Sequence, residues 1–193
     1  MDRTLVLAST SSYRRELLSR LNIPFVAAAP EYQEEHDLPL PPGDLALTLA
    51  FRKAQSLRGR HTNALILAAD QIAEIDGRVL SKPLSLERAF AQLQALRGRT
   101  HRLLTGVVVL DSFNQRLEQA LDIQTLTMRA ASDEQLRDYL EREQPFDCAG
   151  AYRIEGPGAL LFESLSDNDI SAIIGLPLAR VVELLRRFGV DTL

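Results

Sequence analysis

Apolar residues along this chain follow two rhythms: short unbroken runs, and runs interrupted every third or fourth position. LVLAS, residues 5–9, predicts a short buried strand, and residues 12–21 predict a helix with Leu17, Leu18 and Leu21 on one face. NIPFVAAAP, residues 22–30, reads as extended and ends at Pro30, and the acidic, proline-rich stretch 31–44 reads as a loop. Helical spacing returns over residues 45–60. ALILAADQIAEID, residues 64–76, then predicts a continuous apolar strand that ends abruptly in Asp70 and Gln71. A strand apolar on both faces suits a sheet covered on both sides, as in α/β architecture.

Beyond SKPLS, residues 86–96 predict a helix with Leu86, Phe90, Leu93 and Leu96 turned inward. HRLLTGVVVL and LEQALDIQTLTMR form a predicted hairpin around the turn signal DSFNQ. Ser132 and Gln135 have the spacing of a capping box for a helix that ends near Glu143. ALLFESL, residues 159–165, predicts another strand, and residues 177–189 a closing amphipathic helix stopped by Gly189. Strands with and without intervening helices predict a mixed sheet with helices packed around it. The length of 193 residues fits one domain with an ample core.

Composition narrows the function. Apolar residues are 46%, charged residues 25% and the formal net charge is −4, which argues against a general electrostatic grip on nucleic acid. A local cluster of basic residues for a small anion stays compatible with that balance. The single cysteine, Cys148, excludes an intramolecular disulfide and a cysteine-based metal site, and a cytoplasmic location is expected. The opening MDRTLVLAST has too short an apolar run for a signal peptide, and no stretch approaches the ~18 apolar residues of a membrane span. Three widely spaced histidines point any metal site toward carboxylates and phosphates, hence Mg²⁺ or Mn²⁺.

Several residues carry candidate chemistry. Asp70, expected at the exit of its strand, lies where α/β folds present ligand-binding groups, although an Asp capping the next turn would give the same pattern. Arg14, Arg15, Lys53 and Lys82 stand beside loops and helix starts; singly, each reads as a solvated cation. The loop ASTSS offers hydroxyls and backbone N–H groups to an anion at a helix start, without the glycines of a Walker-type loop. Glu31, Glu34 and Glu35 could ligate a cation or form a solvated acidic surface. Cys148 reads as a small buried residue rather than a nucleophile.

Taken in order, LASTSSYRRELL, FRKA, AADQ, SKPL, HRLLTG, DCAGAYRIEG and IIGLPL resemble the Maf family of nucleotide pyrophosphatases over essentially the whole chain, residues 1–193. The resemblance implies a single Maf-like domain similar in fold to inosine triphosphate pyrophosphatase and Ham1. That fold is α/β: a twisted mixed sheet flanked by helices, with a cleft between two lobes. It implies hydrolysis of a nucleoside triphosphate to the monophosphate and pyrophosphate with a divalent cation, Mg²⁺ or Mn²⁺. No nucleic acid or membrane partner is implied, and a homodimer is compatible with the family.

Residue by residue, the resemblance implies Asp70 as proton acceptor and Ser9, Arg14, Arg15, Lys53 and Lys82 as phosphate-binding. Glu34 becomes the metal ligand, with Asp70 a candidate to share the ion. Three base-site positions fall on Tyr13, Gln71 and Glu155; their SYRR, ADQI and RIEG contexts are similar to the branch acting on 7-methyl-GTP. The branch acting on dTTP and UTP carries Arg, Thr and Gln there. Ser12, Tyr13, Ser171 and Asp147 depart from the residues usual in relatives, without removing the implied catalytic set. A nucleotide-sensing inhibitor of septum formation is the competing non-enzymatic expectation; the intact basic and acidic set favours the enzyme.

Overall fold

A computed structural model of the chain describes residues 3–32, 38–165 and 169–190. Strands β1 (Thr4–Ala8), β2 (Phe25–Ala28), β3 (Ala64–Ile75), β4 (Arg78–Leu80), β5 (Thr100–Asp111), β6 (Leu117–Met128) and β7 (Phe162–Leu165) form one sheet. Their order is β2-β1-β3-β5-β6-β7, with β4 paired to β3. β1 runs parallel to β2 and β3, whereas β4 runs antiparallel to β3, and β7 to β6, so the sheet is mixed as expected. The helices are α1 (Ser12–Ser19), α2 (Pro42–Ser56), α3 (Leu86–Leu96), α4 (Asp133–Glu143), α5 (Ile170–Ile174) and α6 (Leu178–Arg187).

The chain divides into two compact units, residues 1–71, 105–122 and 169–193 in the first and 72–104 and 123–168 in the second. In the first, the two-residue period of the strands sorts side chains onto two faces. Leu5, Leu7, Leu65, Leu67, Val107 and Val109 meet Leu17 and Leu18 of α1 and Val181, Leu184 and Leu185 of α6. Val6, Ala8, Ile66, Ala68, Val108 and Leu110 meet Ala50 and Ala54 of α2. Both faces are therefore buried, which is why these strands read as unbroken apolar runs.

Gly106 lets α2 lie close to β5. A Cβ there would stand 2.5 Å from the carbonyl carbon and 2.6 Å from the oxygen of Ala46, inside the helix backbone.

In the second unit α3 and α4 pack together, with Ala89, Leu93 and Leu96 buried on one helix and Leu136, Tyr139 and Leu140 on the other. Leu86 and Phe90, expected inward, are only half-buried. Arg137 covers the Phe90 ring, its guanidinium carbon 4.0 Å from the centroid. His101, Tyr152 and Phe162 form an aromatic cluster in which His101 Nε2 and the Tyr152 hydroxyl share a hydrogen bond of 2.7 Å.

Two expected strand bounds need correction, and one helix is new. β3 does not end at Asp70; it continues to Ile75 and turns through Asp76 (φ 51) and Gly77 (φ 79) into β4. Two successive positive φ values match the type I′ hairpin that Asp-Gly favours, and burial of Ile72, Ala73 and Ile75 carries the strand past its polar pair. The expected strand 159–165 begins only at Phe162, because Pro157–Leu161 winds into a 3₁₀ turn. α5 was not expected at all.

Two stability tests follow from this packing. Gly106→Ala should cost about 1–3 kcal/mol through overpacking, which at this size lowers Tm by roughly 2–4 °C per kcal/mol in a thermal melt. His101 is held neutral by burial, which pushes its imidazole from 6.5 down to about 4 against the opposing pull of Glu74. The unfolded chain then binds a proton that the folded chain refuses as pH falls below about 6.5, so stability should drop between about pH 6.5 and 4. Chemical denaturation across that range should show a shallower pH slope for His101→Phe than for the unaltered protein.

Candidate active site

β3 carries the polar pair at the centre of the site. Alternation along the strand sends Asp70 to the face covered by α2 and Gln71 to the opposite face. Lys53 of α2 meets Asp70 there, its ammonium donating to Asp70 Oδ1 in a direct ion pair. Both residues are buried, with relative exposures of 6% for Lys53 and 4% for Asp70. The second oxygen, Asp70 Oδ2, is buried and has no hydrogen-bond partner among the described residues. A buried carboxylate oxygen without a partner is costly, so Oδ2 marks a place built for a ligand, a proton or water.

The level of Asp70 in the sheet explains why a site can form there. β1 pairs with β3 up to Leu7↔Leu67, and two further residues along that register set Ser9 level with Ala69. The strand that ends here is β1, not β3, and the loop leaving it opens beside Asp70. A binding site beyond the carboxyl end of a parallel strand is the general placement in α/β sheets.

That loop is partly self-satisfied. Ser9 is buried and its Oγ accepts from the Ser11 N–H at 3.1 Å, while Ser11 Oγ caps α1 by accepting from the Arg14 N–H at 3.3 Å. The Ser11 N–H, one of the loop donors expected to face an anion, is thus spent inside the loop. Tyr13 is half-buried and Arg15 exposed.

Arg14 and Gln71 are gathered by the segment around α5. Arg14 Nε donates to the Gly175 carbonyl at 2.9 Å, and Gln71 Nε2 donates to the Ala172 carbonyl at 2.7 Å and to Thr105 Oγ1 at 3.1 Å. The segment is itself braced by Asp169, whose carboxylate accepts from the Ser171 N–H at 2.9 Å and the Ala179 N–H at 3.3 Å. Ser171 Oγ in turn accepts from the Leu178 N–H at 2.9 Å, so the serine keeps a structural bond at that position.

The structure pairs Lys53 with Asp70 on one face of β3, draws Arg14 and Gln71 to the segment around Gly175 on the other, and sets Ser9 just past the end of β1. Lys82 and Glu155 belong to the second unit and are both exposed, in the link from β4 to α3 and in the turn before Pro157–Leu161. Glu34 lies outside the described residues. Among the described residues no three His, Cys, Asp or Glu side chains gather to hold a metal ion. No described helix is long and apolar enough to cross a membrane.

Cys148 is half-buried, and burial pushes its thiol up, the direction that disfavours the nucleophilic thiolate. Thr105 and the α5 carbonyls were missed by sequence reasoning. The one available signal was a hydroxyl residue inside the buried run LLTGVVVL, where it must find a partner.

Comparison with known proteins fixes the family. The family model described as Maf-like protein matches residues 4–188. The chain belongs to the Maf family. It is 42% identical over 192 residues to the 7-methyl-GTP pyrophosphatase of Syntrophotalea carbinolica, covering 99% of this chain and 98% of that one. It is 40% identical over 187 residues to the 7-methyl-GTP pyrophosphatase of Pseudomonas aeruginosa, covering 97% of each. Among solved structures, the Staphylococcus aureus Ham1 protein aligns with TM-score 0.49 and 12% identity over 67% of this chain and 73% of that one.

The ion pair gives a stability test that separates charge from packing. Lys53→Met leaves a buried, unpaired carboxylate and should cost about 3–5 kcal/mol in urea unfolding. Lys53→Met combined with Asp70→Asn removes that charge and should recover a large part of the loss, as a double-mutant cycle reads directly.

Proposed function

We propose that this protein hydrolyses 7-methyl-GTP to 7-methyl-GMP and pyrophosphate. The observation that carries the chemistry is Asp70: buried, fixed by Lys53 through one oxygen and holding the other without a partner. The choice of nucleotide is supported by relatives of that name at about 40% identity over nearly the full chain, and by the set Tyr13, Gln71 and Glu155.

In this reading Asp70 Oδ2 accepts a proton from the water that attacks the α-phosphorus. The bond from that phosphorus to the bridging oxygen breaks, and pyrophosphate leaves with the bond's electron pair. Ser9, Arg14, Arg15, Lys53 and Lys82 bind phosphate oxygens, where fixed cations stabilise charge developing in the transition state.

A divalent cation suits the hard oxygen donors of this set. With Oδ1 of Asp70 spent on Lys53, one oxygen is left, and it cannot hold an ion and take a proton at once. We assign it the proton, and Glu34 with phosphate oxygens the ion, which would neutralise triphosphate charge.

Tyr13 stacks on the base, whose N7 methylation leaves a delocalised positive charge that an aromatic face attracts. Glu155 accepts from the guanine N1–H and exocyclic amine, a donor pair that thymine and uracil lack.

Pyrophosphate release from 7-methyl-GTP, GTP, dTTP, UTP and CTP, with Mg²⁺ or Mn²⁺, tests the reading. Preference for 7-methyl-GTP is expected, and Asp70→Asn should lower kcat by about 10²–10⁴. Preference for dTTP or UTP would overturn the base assignment, and binding without turnover of any nucleotide would favour a sensor. Glu155→Gln should narrow the preference for 7-methyl-GTP over dTTP, and an unchanged ratio would remove Glu155 from base recognition.

A further inference from the structure

Gln71 has a fixed amide orientation. Its Nε2 contacts the carbonyl oxygens of Ala172 at 2.7 Å and Ile173 at 3.4 Å, and backbone carbonyls only accept. The atom facing them must be the NH₂ group. Thr105 Oγ1, at 3.1 Å, takes the second amide hydrogen. Thr105 is fully buried in β5, on the alternation face of Val107 and Val109, so its hydroxyl sits in a rigid wall rather than a mobile loop.

Both amide hydrogens are consumed inside the protein, and the oxygen is what Gln71 has left to offer. That oxygen and Arg14 Nε face a common point: a Cβ placed on Gly175 would lie 3.9 Å from each. Among the described residues no donor reaches Gln71 Oε1.

We propose that Thr105 is a positioning residue for substrate selection, holding Gln71 as an obligate hydrogen-bond acceptor toward an N–H donor of the nucleobase. This rests on the nucleotide reading above and adds to it the direction of one hydrogen bond. An unrestrained glutamine can turn its amide to suit either a donor or a carbonyl on the base, and so discriminates poorly. One held as an acceptor rewards a base edge rich in N–H groups, as guanine's is, and repels a carbonyl presented at the same place. Gly175 keeps the space in front of the acceptor open, since any side chain there would stand between Gln71 Oε1 and Arg14 Nε.

Thr105→Val keeps the shape and removes the hydroxyl; Thr105→Ser restores the hydroxyl without the methyl. Two measurements on the full-length chain test the proposal.

In the substrate-free protein, ¹⁵N spectra should show the Gln71 side-chain NH₂ protected from solvent exchange. That protection should fall about tenfold in Thr105→Val and return in Thr105→Ser. Protection unchanged in Thr105→Val would overturn the restraint whatever the substrate proves to be.

In kinetics, Thr105→Val should raise KM for 7-methyl-GTP by about tenfold with kcat within about twofold, the factor one hydrogen bond commands. The preference over dTTP should narrow accordingly, with recovery in Thr105→Ser. An equal loss of kcat on both nucleotides, or an unaltered preference, would overturn the selective role. If the unaltered protein prefers a nucleotide other than 7-methyl-GTP, the functional reading fails on that result alone, while the exchange measurement still decides the restraint.

Discussion

A lysine and an aspartate buried against each other set the terms for this molecule. Removing both charges from water is expensive, and the attraction between them returns that cost only with close geometry. The geometry comes from a helix and a strand that face each other across an apolar layer, with Ala50 and Ala54 of α2 against Ile66 and Ala68 of β3. Gly106 keeps that layer thin by letting the helix backbone approach the sheet. Core packing therefore fixes the carboxylate whose second oxygen, among the described residues, is buried without a partner.

The same strand carries, on its other face, the residue to which we assign selectivity. Because successive residues alternate, Asp70 and Gln71 are neighbours in sequence yet belong to different faces, each held by different elements. Asp70 depends on α2, and Gln71 on β5 and the carbonyls of α5. The proposed proton acceptor and the proposed recognition group are thus held by separate elements.

Much of this was legible in the residues. α3 was read at its observed bounds from the helical spacing of Leu86, Phe90, Leu93 and Leu96, and α4 because Ser132 and Gln135 form the capping box the sequence implied. Lys53 and Asp70 were both named, although only family resemblance joined them, since nothing in a linear pattern shows that α2 lies over that face of β3. β3 was cut short at Asp70 because a polar pair looks like a strand end. Burial of Ile72 to Ile75 on the next stretch overrode that signal. α5 spans five residues, too few to display a period, and Thr105 has no linear signature at all because its importance lies in the partner it meets.

The central claim is that Asp70 Oδ2 receives the proton of the attacking water. A crystal structure of the unaltered protein with Mg²⁺ and a 7-methyl-GTP analogue carrying a methylene bridge between the α- and β-phosphorus tests it most directly. The account predicts a water within hydrogen-bond distance of Oδ2, in line with the α-phosphorus and the bridging group. Mg²⁺ bound directly to Oδ2, or an α-phosphate remote from Asp70, would contradict it.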